Sequence, residues 1–308
     1  MKSIKSLIKI AVVIFSISAM YSQQDPQYTQ YMYNMNILNP AYAGSQETLS
    51  IGLLGRSQWV GIDGAPKTIT ANIHSPLSRN VGLGFSVIAD EIGPVKEQNV
   101  YADFSYTLKL SENSNLALGL KGGFTFLNAQ LSLLDLGDNL PDLVFTDNDL
   151  DRTVANFGVG AFYYTEKFYL GVSMPNMLKS LHFEKKGGVV YDALEEMHYF
   201  ITSGVVFDAS ENLKLKPSVM LKAVNGAPVS LDLSGNALIN EKFELGVSWR
   251  VDDSVSAMFN LFVTPSTRVG YAYDYTLSNL GDFNSGSHEI FLLFNISNSR
   301  AGLSPRFF

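Results

Sequence analysis

Four histidines, His74, His182, His198 and His288, are the side chains of this 308-residue sequence best suited to acid–base or metal chemistry. Hydrolysis would need one of them held against a nucleophile and a carboxylate. The chain has no cysteine and no G-x-S-x-G turn, and no two histidines have the short spacing of paired metal ligands. Asp90 and Asp103 fall in alternating runs that also carry Arg and Lys, where ion pairing is the simpler role. Asp147-Asn-Asp-Leu-Asp151 resembles the opening of a calcium loop, but Arg152 replaces the required glycine and the twelfth position lacks glutamate. It reads as a solvated acidic loop. No catalytic residue, no metal and no cofactor is expected, and the protein reads as a non-enzyme.

The elements that must position the remaining polar groups follow from composition and patterning along the chain. Hydrophobic residues make up 46% of the sequence and charged residues 17%. After residue 20 no apolar stretch approaches the ~18 residues of a membrane-crossing helix. The N-terminus has the form of a secretory signal: Lys2, Lys5 and Lys9, an apolar core from Ile10 to Ile17, then small residues Ser18, Ala19 and Ser22. That core is too short to span about 30 Å of hydrocarbon as an anchor. Residues 1–22 are therefore assigned as signal peptide, with Ala19 an alternative cleavage point. Loss of the three lysines takes the net charge from −7 to −10, which disfavours nucleic acid as a partner. Absence of cysteine also excludes a lipoprotein anchor.

From Leu49 onward apolar and polar residues alternate with period two, about fourteen times, in runs of roughly nine to eleven residues. Phe243, Leu245, Val247, Trp249 and Val251 alternate with Glu244, Gly246, Ser248 and Arg250. One face of the runs collects Arg56, His74, Asp90, Asp103, Lys109, Lys121, Lys214, Lys216, Lys222, Asp232, Glu244, Arg250, Arg268, Asp274 and Glu289. A sandwich would bury the opposite, apolar face in a dry core. A barrel turns that face to lipid and the charges to a wet lumen, and a lipid-facing Lys or Arg would cost about 2–4 kcal/mol. The fold expected is all-β, a transmembrane barrel of about fourteen antiparallel strands spanning 48–308. Short turns such as 77–80 and 110–114 alternate with longer connections, notably 127–152 and 176–196. This parity suggests an outer-membrane protein with both termini periplasmic.

Two stretches do not alternate. Residues 23–47 hold Tyr28, Tyr31, Tyr33 and Tyr42 among amides and two prolines, too aromatic for a disordered leader. They are expected to be ordered, packed on the barrel or plugging it from the periplasmic side. Trp59 lies in a Gly/Pro-rich loop that presents it. Candidate partner-binding residues are Tyr28, Tyr31, Tyr33, Asn34, Asn39, Arg56 and Trp59, together with the two long loops. A closed barrel has no free sheet edge, so a partner is expected at loops, rim or lumen.

The blocks DPQYTQYMYNMNILNPAYAG (25–44), RSQWVGIDGAPKT (56–68), NIHSPL (72–77), VGLGFSVIADEIGP (81–94), SHEI (287–290) and SPRFF (304–308) together resemble the PorP/SprF family of the type IX secretion system in Bacteroidota. The resemblance implies an outer-membrane component that helps deliver or anchor a specific secreted cargo carrying a type IX C-terminal domain. That cargo would be a large surface adhesin, including those of gliding motility. Expected partners are the cargo, other type IX components and outer-membrane lipid. The alternative is a plugged channel or transporter for small hydrophobic molecules.

Overall fold

The computed structural model describes residues 26–46, 48–130, 150–178, 197–225 and 227–296. The signal segment, most of both long loops, Asp147–Asp149 of the acidic loop and the terminal SPRFF lie outside them. Fifteen strand segments form one antiparallel sheet: β1 Leu49–Ser57, β2 Lys67–Pro76, β3 Val81–Ile92, β4 Val95–Lys109, β5 Asn115–Ala129, β6 Leu150–Tyr164, β7 Phe168–Met174, β8 His198–Val205, β9 Phe207–Ser210, β10 Leu213–Val224, β11 Ser230–Ile239, β12 Phe243–Arg250, β13 Ser254–Thr264, β14 Thr267–Thr276 and β15 Ser287–Ile296. β8 and β9 are one strand interrupted at Val206, whose N–H bonds the Lys167 carbonyl at 2.8 Å. The barrel thus has fourteen strands. Each pairs with its sequence neighbours, and β1 pairs with β15 from Leu49↔Ile296 to Ser57↔His288, which closes the ring.

Alternation sets the two faces. β12 is exposed and buried at strictly alternating positions: Phe243, Leu245, Val247 and Trp249 point out, and Glu244, Gly246, Ser248 and Arg250 point in. The same outward face elsewhere carries Ile69, Phe85, Phe104, Leu120, Phe124, Phe157 and Ile290, all exposed. An exposed apolar band around a closed sheet fits lipid, because closure pairs the first and last strands and leaves neither to be satisfied by water. Of the expected inward charges, most are buried. Lys109 is exposed, and Asp90 and Lys214 are only half-buried, because they sit near strand ends where the wall gives way to solvent.

Connections sort by rim. The turns at 77–80, 110–114, 165–167, 211–212, 240–242 and 265–266 share one rim with the start of β1 and the end of β15. Residues 58–66 and 277–286, and the ends of β5 and β7, belong to the opposite rim. In the 240–242 turn Asn240 and Glu241 both have φ near +54°, as a tight hairpin matched to strand twist requires.

The ring closes, but its wall is uneven, because β6 pairs with β5 along all of Leu150–Tyr164 and meets β7 only from Val159 to Tyr164. Residues Leu150–Gly158 have no strand partner on the β7 side among the described residues. Met177 donates one bond to the Phe157 carbonyl at 2.8 Å.

Candidate functional site: a plugged lumen and its rim

The N-terminal segment occupies the lumen. It folds as a 3-10 turn at Tyr31–Tyr33, a single α-helical turn at Met35–Leu38 and a second 3-10 turn at Pro40–Tyr42. Pro40 at the first helical position and Asn39 before it define the last turn: Asn39 Oδ1 accepts from Ala41 N at 3.0 Å. Almost every residue from Tyr28 to Gln46 is buried. So short and irregular a segment leaves many backbone groups without helical partners, and buried polar groups need partners. The inward polar residues of the wall supply several.

At one rim lies a clamp. Glu289 on β15 accepts the N–H groups of Thr29 and Gln30 at 2.9 and 2.8 Å. Thr29 Oγ1 donates to Asp274 on β14 at 2.7 Å. Arg56 on β1 bridges the two carboxylates, 2.7 Å from Asp274 and 3.1 Å from Glu289. Lower in the lumen, Tyr33 bonds Glu244 and stacks on Phe291, with the Arg268 guanidinium 4.8 Å from its ring centre. Asn34 accepts from Asn72 at 2.8 Å, and Asn36 donates to Asp103 at 3.1 Å. Lys121 pairs with Asp103 at 3.1 Å. Asn39 Nδ2 reaches the Ala161 carbonyl at 3.1 Å. At the far end Ser105 bonds the Ala43 carbonyl at 2.6 Å, and Gly44 lies against Pro76 and Gly82 beside the 77–80 turn.

Glycines make room for this backbone. A Cβ at Gly119 would stand 2.1 Å from Ala41 N, and one at Gly82 would stand 2.1 Å from the Ala43 carbonyl oxygen. Neither distance is possible between non-bonded atoms, so the wall is thinned where the segment lies.

The second feature is the rim bearing the 58–66 loop. Trp59 has φ +44°, a left-handed conformation costly for a bulky residue. It is held by neighbours: Trp59 N donates to Ser287 Oγ at 3.1 Å, Val60 N to the Gly286 carbonyl at 2.9 Å, and Ser285 N to the Val60 carbonyl at 2.7 Å. Gly93 N reaches the Gly64 carbonyl at 2.9 Å, tying in the β3–β4 turn. A cavity of about 370 Å³ opens here among Pro26, Gln27, Trp59, Pro66, Ile92 and Asp253.

The structure therefore divides the sequence candidates. Tyr28, Tyr31, Asn34, Asn39 and Arg56 are buried in the lumen, and Tyr33 is nearly so. Their observed contacts seat the segment. Trp59 stands at the mouth, where the buried Arg56 also lines the cavity from below. Sequence reasoning placed Asp274 and Glu289 on the inner face but did not show that they clamp Thr29. It did not single out Gly119.

A closed fourteen-stranded barrel with an apolar outer band, inward charges and an internal plug defines an outer-membrane β-barrel protein. The sequence profile described as type IX secretion system membrane protein PorP/SprF matches residues 20–294, and the chain belongs to that family. The family ties the protein to type IX secretion and to the outer membrane. No curated protein matches the chain. Among solved structures, it is similar to the Acinetobacter baumannii outer membrane protein Omp33 at 11% identity, over 82% of this chain and 100% of that one, with a TM-score of 0.47. It is similar to a Pseudomonas aeruginosa FadL homologue at 11% identity, over 90% and 96%, TM-score 0.47. It is also similar to the CymD monoaromatic hydrocarbon channel at 12% identity, over 90% and 93%, TM-score 0.49. Likenesses this distant carry no function across.

Proposed function

We propose that this protein is a non-enzymatic platform that holds a specific secreted partner at the outer membrane. The partner would be a large adhesin with a type IX C-terminal domain, engaged through the rim that carries Trp59 and the long connections. The observation that carries this reading is the filled lumen. Residues Tyr28–Gln46 are buried and bonded to the wall around the ring, which removes the interior as a route and leaves a rim as the working surface. Long connections belong outside and short turns inside in barrels of this kind, so the Trp59 rim is assigned to the cell surface. Membership of a secretion-system family supports a protein rather than a small molecule as the object handled. Gliding is a role such an adhesin would serve.

The test is affinity purification of the intact barrel from its own membrane, with mass spectrometry of what is retained. A large secreted protein carrying a type IX C-terminal domain is expected, and deletion of the barrel should strip that protein from the surface. Unchanged surface levels of every such protein after deletion would defeat the proposal.

A further inference from the structure

The lumen segment has a direction. Thr29 and Gln30 are held by Asp274 and Glu289, at the upper ends of β14 and β15 beside the 277–286 connection. Pro26 and Gln27 share the mouth with Trp59 and Pro66. Gly44, only some fifteen residues on, lies against Pro76 and Gly82 at the opposite rim, and β1 starts from that rim at Leu49. The chain thus descends the whole lumen before it enters the wall. An even number of strands does return the end of β15 to the start of β1. The segment reverses the sense at the amino end, so residues 26 and 296 lie at opposite rims.

We propose that the segment crosses the membrane inside the barrel, so that Pro26 and Gln27 stand at the cell surface beside Trp59 as part of the partner-binding face. This rests on the orientation given under Proposed function. The approach is close at Gly82 and Gly119. The wall touches the segment's backbone directly at both places. A partner seated on the rim would then touch a strap continuous with the lumen, not loops alone.

The chain contains no cysteine, which makes single-cysteine labelling free of background. The full-length variants Gln27→Cys, Asp63→Cys and Arg79→Cys are expressed in cells and treated with a membrane-impermeant maleimide before and after permeabilisation. Asp63 is exposed in the Trp59 loop and Arg79 is exposed in the 77–80 turn, so they report the two rims. The expected result is labelling of Gln27→Cys and Asp63→Cys in intact cells, at the level reached after permeabilisation, and of Arg79→Cys only after it. If Asp63→Cys reacts in intact cells and Gln27→Cys does not react until permeabilisation, the crossing is overturned while the orientation stands. If Arg79→Cys reacts in intact cells and the other two do not, surface display is overturned together with the orientation. Should Gln27→Cys fail to assemble, a short epitope between Gln24 and Asp25, probed with antibody on intact cells, gives the same decision.

Discussion

Arg56 is the residue on which the upper lumen turns. Its guanidinium stands between Asp274 and Glu289, and both carboxylates also receive bonds from Thr29. Removing one member of a buried ionic cluster costs about 3–5 kcal/mol, because the partners stay buried and uncompensated. Arg56→Met is therefore expected to lower the thermal midpoint of the detergent-solubilised barrel. Exposed ion pairs such as Lys96–Glu91 should matter far less, since exposed pairs are worth ~1 kcal/mol at most. Equal midpoints for Arg56→Met and Lys96→Met would contradict the clamp. Trp59 presents the opposite case. Its left-handed backbone costs roughly 1–2 kcal/mol, which glycine would avoid. Trp59→Gly should leave heat-modifiable gel migration intact while reducing co-purification of the secreted partner. Loss of both together would mean that the ring props the rim rather than meeting a partner. A positive φ is invisible in a sequence, although the Gly/Pro-rich setting of Trp59 pointed to a fixed loop.

At the scale of elements, the wall and the segment are fitted to one another. Alternation predicted the strands well because side-chain direction in a strand has period two and lipid enforces the outer face. Strand ends were predicted less well: β5 and β6 run to Ala129 and Leu150, past the expected 126 and 153. Their ladder continues beyond the apolar band, where hydrophobic patterning no longer marks it. Glycines in the wall looked alike in sequence, but their surroundings differ. Gly119 faces the Ala41 backbone, and a Cβ at Gly55 meets nothing within 4 Å. Gly119→Ala should destabilise by about 1–3 kcal/mol through overpacking against backbone that cannot yield. Gly55→Ala should be nearly neutral. Protease sensitivity of the folded barrel, compared between the two variants, is the check. If Gly119→Ala is as resistant as the parent, the segment sits more loosely than its contacts imply.

For the whole molecule, a filled lumen has an electrical consequence. The purified full-length barrel in a planar bilayer is expected to show no steady ion conductance, because Tyr28–Gln46 occupies the path and its polar groups bond to the wall. Persistent open-channel currents would return the alternative of a plugged transporter to the front. By itself the sequence determined that the chain forms a barrel, since an apolar face without charges and an opposite face rich in them admit few other partners than lipid and water. It also marked residues 23–47 and the Trp59 loop as ordered exceptions, and its blocks pointed to the family. Only the tertiary structure decided which way the segment runs and that six of the seven candidates are lumen groups. Those facts depend on pairings such as Thr29 with Glu289, 260 residues apart, and no local periodicity encodes a contact that the closing of the ring creates.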